Sequence, residues 1–118
     1  MSMVKKVGTY SVPKNIMIGQ DSYYLALPVV VSGTANTTIK AGEPLTGNLT
    51  NRDTAFTAAT ASAVGMNLHD VVLDGQGKGN ATLVIKGCVD LLKLDSTVAS
   101  NLTTAAIDGI VLVKGSAI

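Results

Sequence analysis

Aromatic side chains are nearly missing from this chain: its 118 residues include no Trp, one Phe and three Tyr. Aromatic rings usually supply much of a core's buried area, so a core here has to be built from aliphatic side chains. Charge is scarce too. Charged residues make up 14% of the chain, against about 25% in an ordinary soluble domain, and the formal net charge is +1. No basic stripe interleaved with aromatics is present, which speaks against a nucleic-acid partner. The single cysteine, Cys88, excludes an intrachain disulfide, and the single histidine, His69, excludes a multi-histidine metal site. The longest apolar run, Leu25 to Val31, contains Pro28 and falls far short of the roughly 20 residues a helix needs to cross a bilayer. No apolar signal-peptide segment follows Met1–Lys6. A soluble protein made in the cytoplasm, with no membrane partner, is therefore expected.

What is present points to β structure. Hydrophobic residues make up 47% of the chain, chiefly Val, Leu, Ile and Ala, and Thr is frequent. Branched aliphatics and Thr suit a pleated, half-buried surface, and the 12 glycines suit tight turns and bulges. The mean hydropathy is +0.38. A small monomer normally carries more charge to stay dispersed, so part of the surface is expected to be covered, by sister copies or by a partner.

Residues 1–24 read as an extended N-terminal arm and residues 25–118 as a β-rich domain. In the domain a strand is predicted at Val29–Val31, after Pro28, followed by turns from Gly33 to Ala41. Gly42-Glu43-Pro44 marks a tight turn or an edge position, because Pro cannot donate to a ladder. Leu45–Ala61 reads as mainly irregular, with one short strand near Ala55–Thr57. Val64, Met66 and Leu68 alternate with Gly65, Asn67 and His69, the period of a half-buried strand. Asp74–Asn80 reads as a flexible hairpin loop. Leu83, Ile85, Val89 and Leu91 are expected on one face of the return strand, with Gly87 as a bulge or close contact. Asp95 or Ser96 is suited to cap a helix over Thr97–Ala106 with Val98 and Leu102 on its apolar side. Asp108-Gly109 is a turn before a last strand, Ile110–Val113. The fold class is thus mostly β with one short helix, α+β, carrying an extended arm.

Candidate chemistry is sparse. Gly75-Gln76-Gly77-Lys78-Gly79 has the glycines of a phosphate-cradling loop, but such loops need a helix N-terminus directly after them, and here a strand follows. His69-Asp70 is the one pair suited to acid–base work, and its place on the polar side of a strand is more simply that of a surface residue. Cys88 lies within an aliphatic strand and reads as a small buried hydrophobe rather than a nucleophile. No catalytic, cofactor-binding or metal-binding residue is assigned, and an enzyme is not expected.

Two families share the order of the short motifs. Ala63-Val64-Gly65-Met66, His69-Asp70-Val71, Asn80-Ala81-Thr82-Leu83-Val84, Lys86-Gly87, a short helix after Leu91–Leu94, and Asp108-Gly109-Ile110-Val111-Leu112-Val113 together resemble the head decoration proteins of lambdoid phages. Gly8-Thr9-Tyr10-Ser11-Val12-Pro13, Lys40–Leu45 and Leu68–Val71 are similar to the small head-fibre proteins of phages of Gram-positive bacteria, a likeness that covers nearly the whole chain. Residues 45–62 match neither. The resemblance implies a structural capsid protein of a tailed phage that binds the exterior of the expanded head as an oligomer, a trimer, and stabilises it. A head-fibre base or adhesive module for host attachment is the alternative. The implied partners are sister copies and the major capsid protein, and the implied location is the virion surface. A closed oligomer would also hide the aliphatic surface that low charge leaves exposed. The arm would dock by adding a strand to an open capsid sheet edge, with Val7, Thr9, Tyr10 and Val12 as the contact residues.

Overall fold

The computed structural model describes residues 16–18 and 24–114. In chain order these form strands β1 (Leu25–Ser32), β2 (Thr38–Ile39), β3 (Pro44–Thr46), β4 (Phe56–Ala58), β5 (Gly65–Asn67), β6 (Val71–Val72) and β7 (Lys78–Asp90), helix α1 (Ser96–Ala105) and strand β8 (Ile110–Val113). A single 3-10 turn, Leu91–Lys93, leads from β7 toward the helix. The mostly-β character with one short helix agrees with the sequence reading.

Five strands close on themselves. The hydrogen-bonded order β1-β4-β3-β5-β7 returns to β1 through a long antiparallel β1–β7 ladder, so the strands form a small ring. Only the β1–β4 step of the ring is parallel. A ring this small leaves room for side chains and little else. Its filling is aliphatic apart from the chain's one Phe. Val29 and Val31 of β1, Leu45 of β3, Phe56 of β4, and Ala81 and Leu83 of β7 are buried together with Ile39 and Leu73. Between them on β1, Val30 points the other way and is exposed, as strand alternation requires. Glycine makes the space: a Cβ on Gly47 would run into the Phe56 ring, and one on Gly65 would meet Leu83.

A second core lies outside the ring. Met66 and Val84, neighbours on β5 and β7, face outward and are covered by Val98 and Leu102 of α1, by Leu94 and Ile107, and by Ile16, Met17, Val89 and Ile110. The helix forms where its cap predicts. The Asp95 carboxylate accepts the Thr97 N–H at 3.0 Å, and Val98 and Leu102, four residues apart, are its two buried side chains. The helix ends one residue earlier than expected, because Ala106 adopts a left-handed conformation, φ 48°, with its N–H still bonded to the Leu102 carbonyl.

Several local expectations need correction. β1 begins at Leu25, so Pro28 sits inside the strand rather than before it. The Pro28 carbonyl accepts from the Arg52 guanidinium at 2.9 Å, on the side of β1 away from β7, where the missing N–H breaks no ladder bond. The stretch read as turns, 33–41, contains β2, which pairs with β6. Asn67, placed by alternation on the polar side, is completely buried. Leu83, Ile85, Val89 and Leu91 do not share a face. Leu83 and Ile85 belong to the ring interior, whereas Val89 and Leu91 belong to the outer core. The β1–β7 register slips by one residue, from Ala26↔Val84 to Leu25↔Lys86, and such a bulge exchanges the two faces of a strand. The loop 74–80 is a tight turn rather than a flexible one: β7 already starts at Lys78, and the Asp74 carboxylate accepts the N–H groups of both Gln76 (2.8 Å) and Lys78 (3.0 Å).

Residues 16–18, read from sequence as part of the arm, lie extended against β7. Met17 pairs with Val89, the Ile18 N–H reaches the Cys88 carbonyl at 2.9 Å, and Ile16 and Met17 are buried. Val89 also pairs with Leu112 of β8. One residue with two partners has one on each edge, so the end of β7 is the middle of three extended segments.

Candidate functional site

The four residues expected to dock the arm, Val7, Thr9, Tyr10 and Val12, lie outside the described residues. The other sequence candidates are placed, and the structure does not bring them together. Gly75–Gly79 forms the Asp74 turn and the start of β7, with no helix after it. A Cβ on Gly77, whose φ is +75°, would collide with the Gly33 carbonyl oxygen. This glycine is needed for backbone approach: the Gly33 N–H donates to its carbonyl at 2.8 Å.

His69 is exposed, and Asp70 turns away to structural work. Its carboxylate accepts the Ala41 N–H at 2.8 Å. Asn67 completes the same attachment: its Nδ2 donates to the carbonyls of Ile39 (3.0 Å) and Lys40 (3.2 Å), while its backbone bonds to Gly42 and Glu43. Glu43 in turn accepts the Lys40 N–H at 2.6 Å. The two residues therefore stitch the 39–43 turn onto β5. Sequence alternation missed Asn67; the signal for it is a polar residue between two apolar ones with a Gly-Glu-Pro turn elsewhere that has carbonyls to satisfy. Cys88 is half-buried rather than fully buried.

Two carboxylates titrate below the ordinary value of 3.8. Asp74 is held down by the Lys78 N–H and then the Gln76 N–H. Asp95 is held down first by the Lys40 side chain, 3.2 Å away, and then by the Thr97 N–H. Both are exposed anchors of turns and caps, and neither faces a nucleophile. Among the described residues no group of three His, Cys, Asp or Glu is placed to hold a metal ion.

Among the recesses in the surface of the described residues, two stand out. One, about 510 Å³, opens at the end of the ring between Ser32, Thr38, Glu43, Thr57, Gln76 and Lys78. The other, about 470 Å³, runs between the 3-10 turn and the outer side of α1, bounded by Leu91, Leu92, Ala99, Thr103 and Lys114. Glu43 and Lys78 are the charged groups of the first recess and Lys114 that of the second; hydroxyls, small side chains and aliphatics make up most of the rest.

The surface is more informative where it is apolar. Across the three extended segments at the end of β7, Met17, Val89 and Leu112 face the outer core, so their neighbours Ile18, Cys88 and Val111 face the opposite way. That outward row is uncovered. Ile18 is 39% exposed and Val111 57%, and Leu25, paired with Lys86 on the same strand, is 51% exposed. Val72 on β6 is 73% exposed. Isolated exposed aliphatics are ordinary, whereas a row of them on a sheet is a candidate contact surface. No family model matches the chain, and no curated protein shows significant similarity to it. Among the described residues, no helix is long and apolar enough to cross a membrane.

Proposed function

We propose that this protein is a structural capsid protein of a tailed bacteriophage, an oligomer, in the simplest form a trimer, that decorates and stabilises the exterior of the expanded head. The observation that carries this reading is the uncovered aliphatic row Ile18, Leu25, Val111 on a chain with only 14% charged residues. Such a surface favours burial against another protein, and the ordered motifs of the sequence resemble phage head proteins in particular. Site chemistry of another kind finds little support: the acidic residues with displaced titration are turn and cap anchors. In this reading the partners are sister copies and the major capsid protein, the arm residues Val7, Thr9, Tyr10 and Val12 add a strand to the shell, and neither nucleic acid nor a cofactor takes part.

The mechanism is mass action. A protein that binds the expanded shell and not its disrupted form adds its binding free energy, once per copy, to the stability of the expanded state. Purified protein added to expanded heads that lack it is expected to co-sediment with them and raise their disruption temperature. Heads that bind none of it, or that bind it with no gain in stability, would refute the proposal. Loss of host adsorption from otherwise sturdy particles on deletion would instead favour an adhesive role.

A further inference from the structure

Beyond the capsid reading, and independent of it, we propose that the segment Gly115-Ser116-Ala117-Ile118 straps the outer side of α1, lying in the recess of about 470 Å³ between that helix and the 3-10 turn. One wall of the recess is apolar. The turn supplies Leu91 and Leu92 to it, and Leu92 is 62% exposed. Its backbone is pinned in that position: the Asp90 carboxylate accepts the Leu92 N–H at 3.0 Å, and the Leu94 N–H closes the turn on the Leu91 carbonyl at 3.2 Å. The other wall is uncharged. Ala99, Thr103 and their hydroxyl-bearing neighbours form it, and α1 contains no charged residue at all. Thr103 donates its hydroxyl proton back to the Ala99 carbonyl at 2.9 Å, so that proton needs no solvent partner. Small side chains on this wall let an extended chain approach closely.

The path of the chain selects the occupant. β8 runs parallel to β7 with Val113 beside Asp90, so Lys114 comes level with the start of the 3-10 turn, and Lys114 itself borders the recess. Residues 115–118 follow directly on it and lie outside the described residues. Four residues reach about 13 Å when extended, and the stretch of helix from Ser96 to Thr104 that borders the recess spans about 12 Å. The composition fits as well. The segment carries no charge to desolvate, Gly115 eases the turn out of the strand, and Ile118 is its one large apolar side chain, suited to cover Leu92. Tethered at Lys114, it meets the recess at a millimolar effective concentration, ahead of a free partner. The strap ties α1 to the end of β8, and so adds a hold to a helix whose buried side chains are Val98 and Leu102 alone.

The test compares two disulfides. In a Cys88→Ser background, Leu92→Cys with Ile118→Cys is expected to close an intrachain disulfide in oxidised glutathione about tenfold faster than Val111→Cys with Ile118→Cys. Val111 is 57% exposed and three residues from Lys114, so it is within the segment's reach, but it does not border the recess. Equal rates would overturn the proposal. Disulfides that join two chains would give the recess to a second copy, and faster closure of Leu92→Cys with Val12→Cys would give it to the arm; either result overturns the strap. In the otherwise unaltered chain, deletion of residues 115–118 is expected to speed amide exchange across α1 about threefold to tenfold, while the β1–β7 ladder exchanges as before. Ile118→Ser, which keeps the chain length, should act in the same direction with a smaller effect. Unchanged exchange in α1 for both variants would refute the strap. Neither readout involves phage heads, so a chain that ignores them but closes the Leu92 disulfide would refute the capsid proposal and leave this inference standing.

Discussion

The ring interior and the core outside it share one strand, yet they are held together differently. Inside, five strands closed by the β1–β7 ladder surround Phe56, Leu45 and Leu83, and the enclosure is made of backbone hydrogen bonds. Outside, Met66, Val84 and Val89 are covered by a ten-residue helix and by residues 16–18, and that enclosure is made of side chains. β7 serves both because the slip in register at Ile85 turns its apolar residues from one side to the other. The lesson is that a chain with almost no aromatics reaches full burial by dividing its aliphatics between two thin cores. The interior should then behave as the cooperative centre, and the outer layer as the part that opens first.

The sharpest way to break this comparison is to remove its one aromatic. Phe56→Ala should destabilise the protein by about 3–5 kcal/mol, measured by urea unfolding, because the closed strands cannot collapse onto the space. A loss below about 1 kcal/mol would show that the ring is not the centre. Leu102→Ala, the matching change in the outer core, should cost about 2–4 kcal/mol. It should also speed amide exchange in α1 well before exchange in the β1–β7 ladder. Equal acceleration in both would merge the two cores into one cooperative unit.

Smaller effects sharpen the picture at the ring's end. Gly77→Ala should cost about 1–3 kcal/mol: its φ of +75° strains any L side chain, and the added methyl meets the Gly33 carbonyl. The thermal melt should fall, with little change in the exchange of α1. The smallest predicted effect comes from acid. Asp74 and Asp95 titrate below 3.8 when folded, so each contributes stability above that value and loses it as the pH falls through the folded value. Asp74→Asn and Asp95→Asn should each lower the melting temperature slightly near neutral pH. The differences should vanish once the wild-type carboxylates are protonated. A difference that persisted in acid would mean the side chains act by packing and not by charge.

Legibility followed the range of the interactions involved. The Asp95 cap, the Val98–Leu102 spacing, the Asp108-Gly109 turn and the strand at Ile110–Val113 depend on residues within one or two turns of each other, and each was readable. Phe56 was readable as a strand within an otherwise featureless stretch, but its place inside a ring was not. The burial of Asn67 was out of reach for a related reason, as was the bond that the exposed Asp70 makes. Their partners, the 39–43 turn amides and carbonyls, lie 27 to 29 residues away in sequence, and alternation carries no information about such a partner. For the proposed contact surface, the scarcity of charge announced that something must be covered. Which side chains form the row depended on Val89 having Met17 on one edge and Leu112 on the other.

By itself, then, the sequence determined the class of structure, because β-branched aliphatics, Thr and Gly without aromatics favour strands and tight turns over long helices. It also determined that the molecule has more apolar residues than one small aromatic-poor core would use. Tertiary structure alone decided that the strands close into a ring, that β7 changes faces at Ile85, and that the end of β7 lies between residues 16–18 and β8. Those outcomes depend on pairing between residues far apart in the chain, where hydrogen bonds to a neighbouring strand, and not local preference, choose the register.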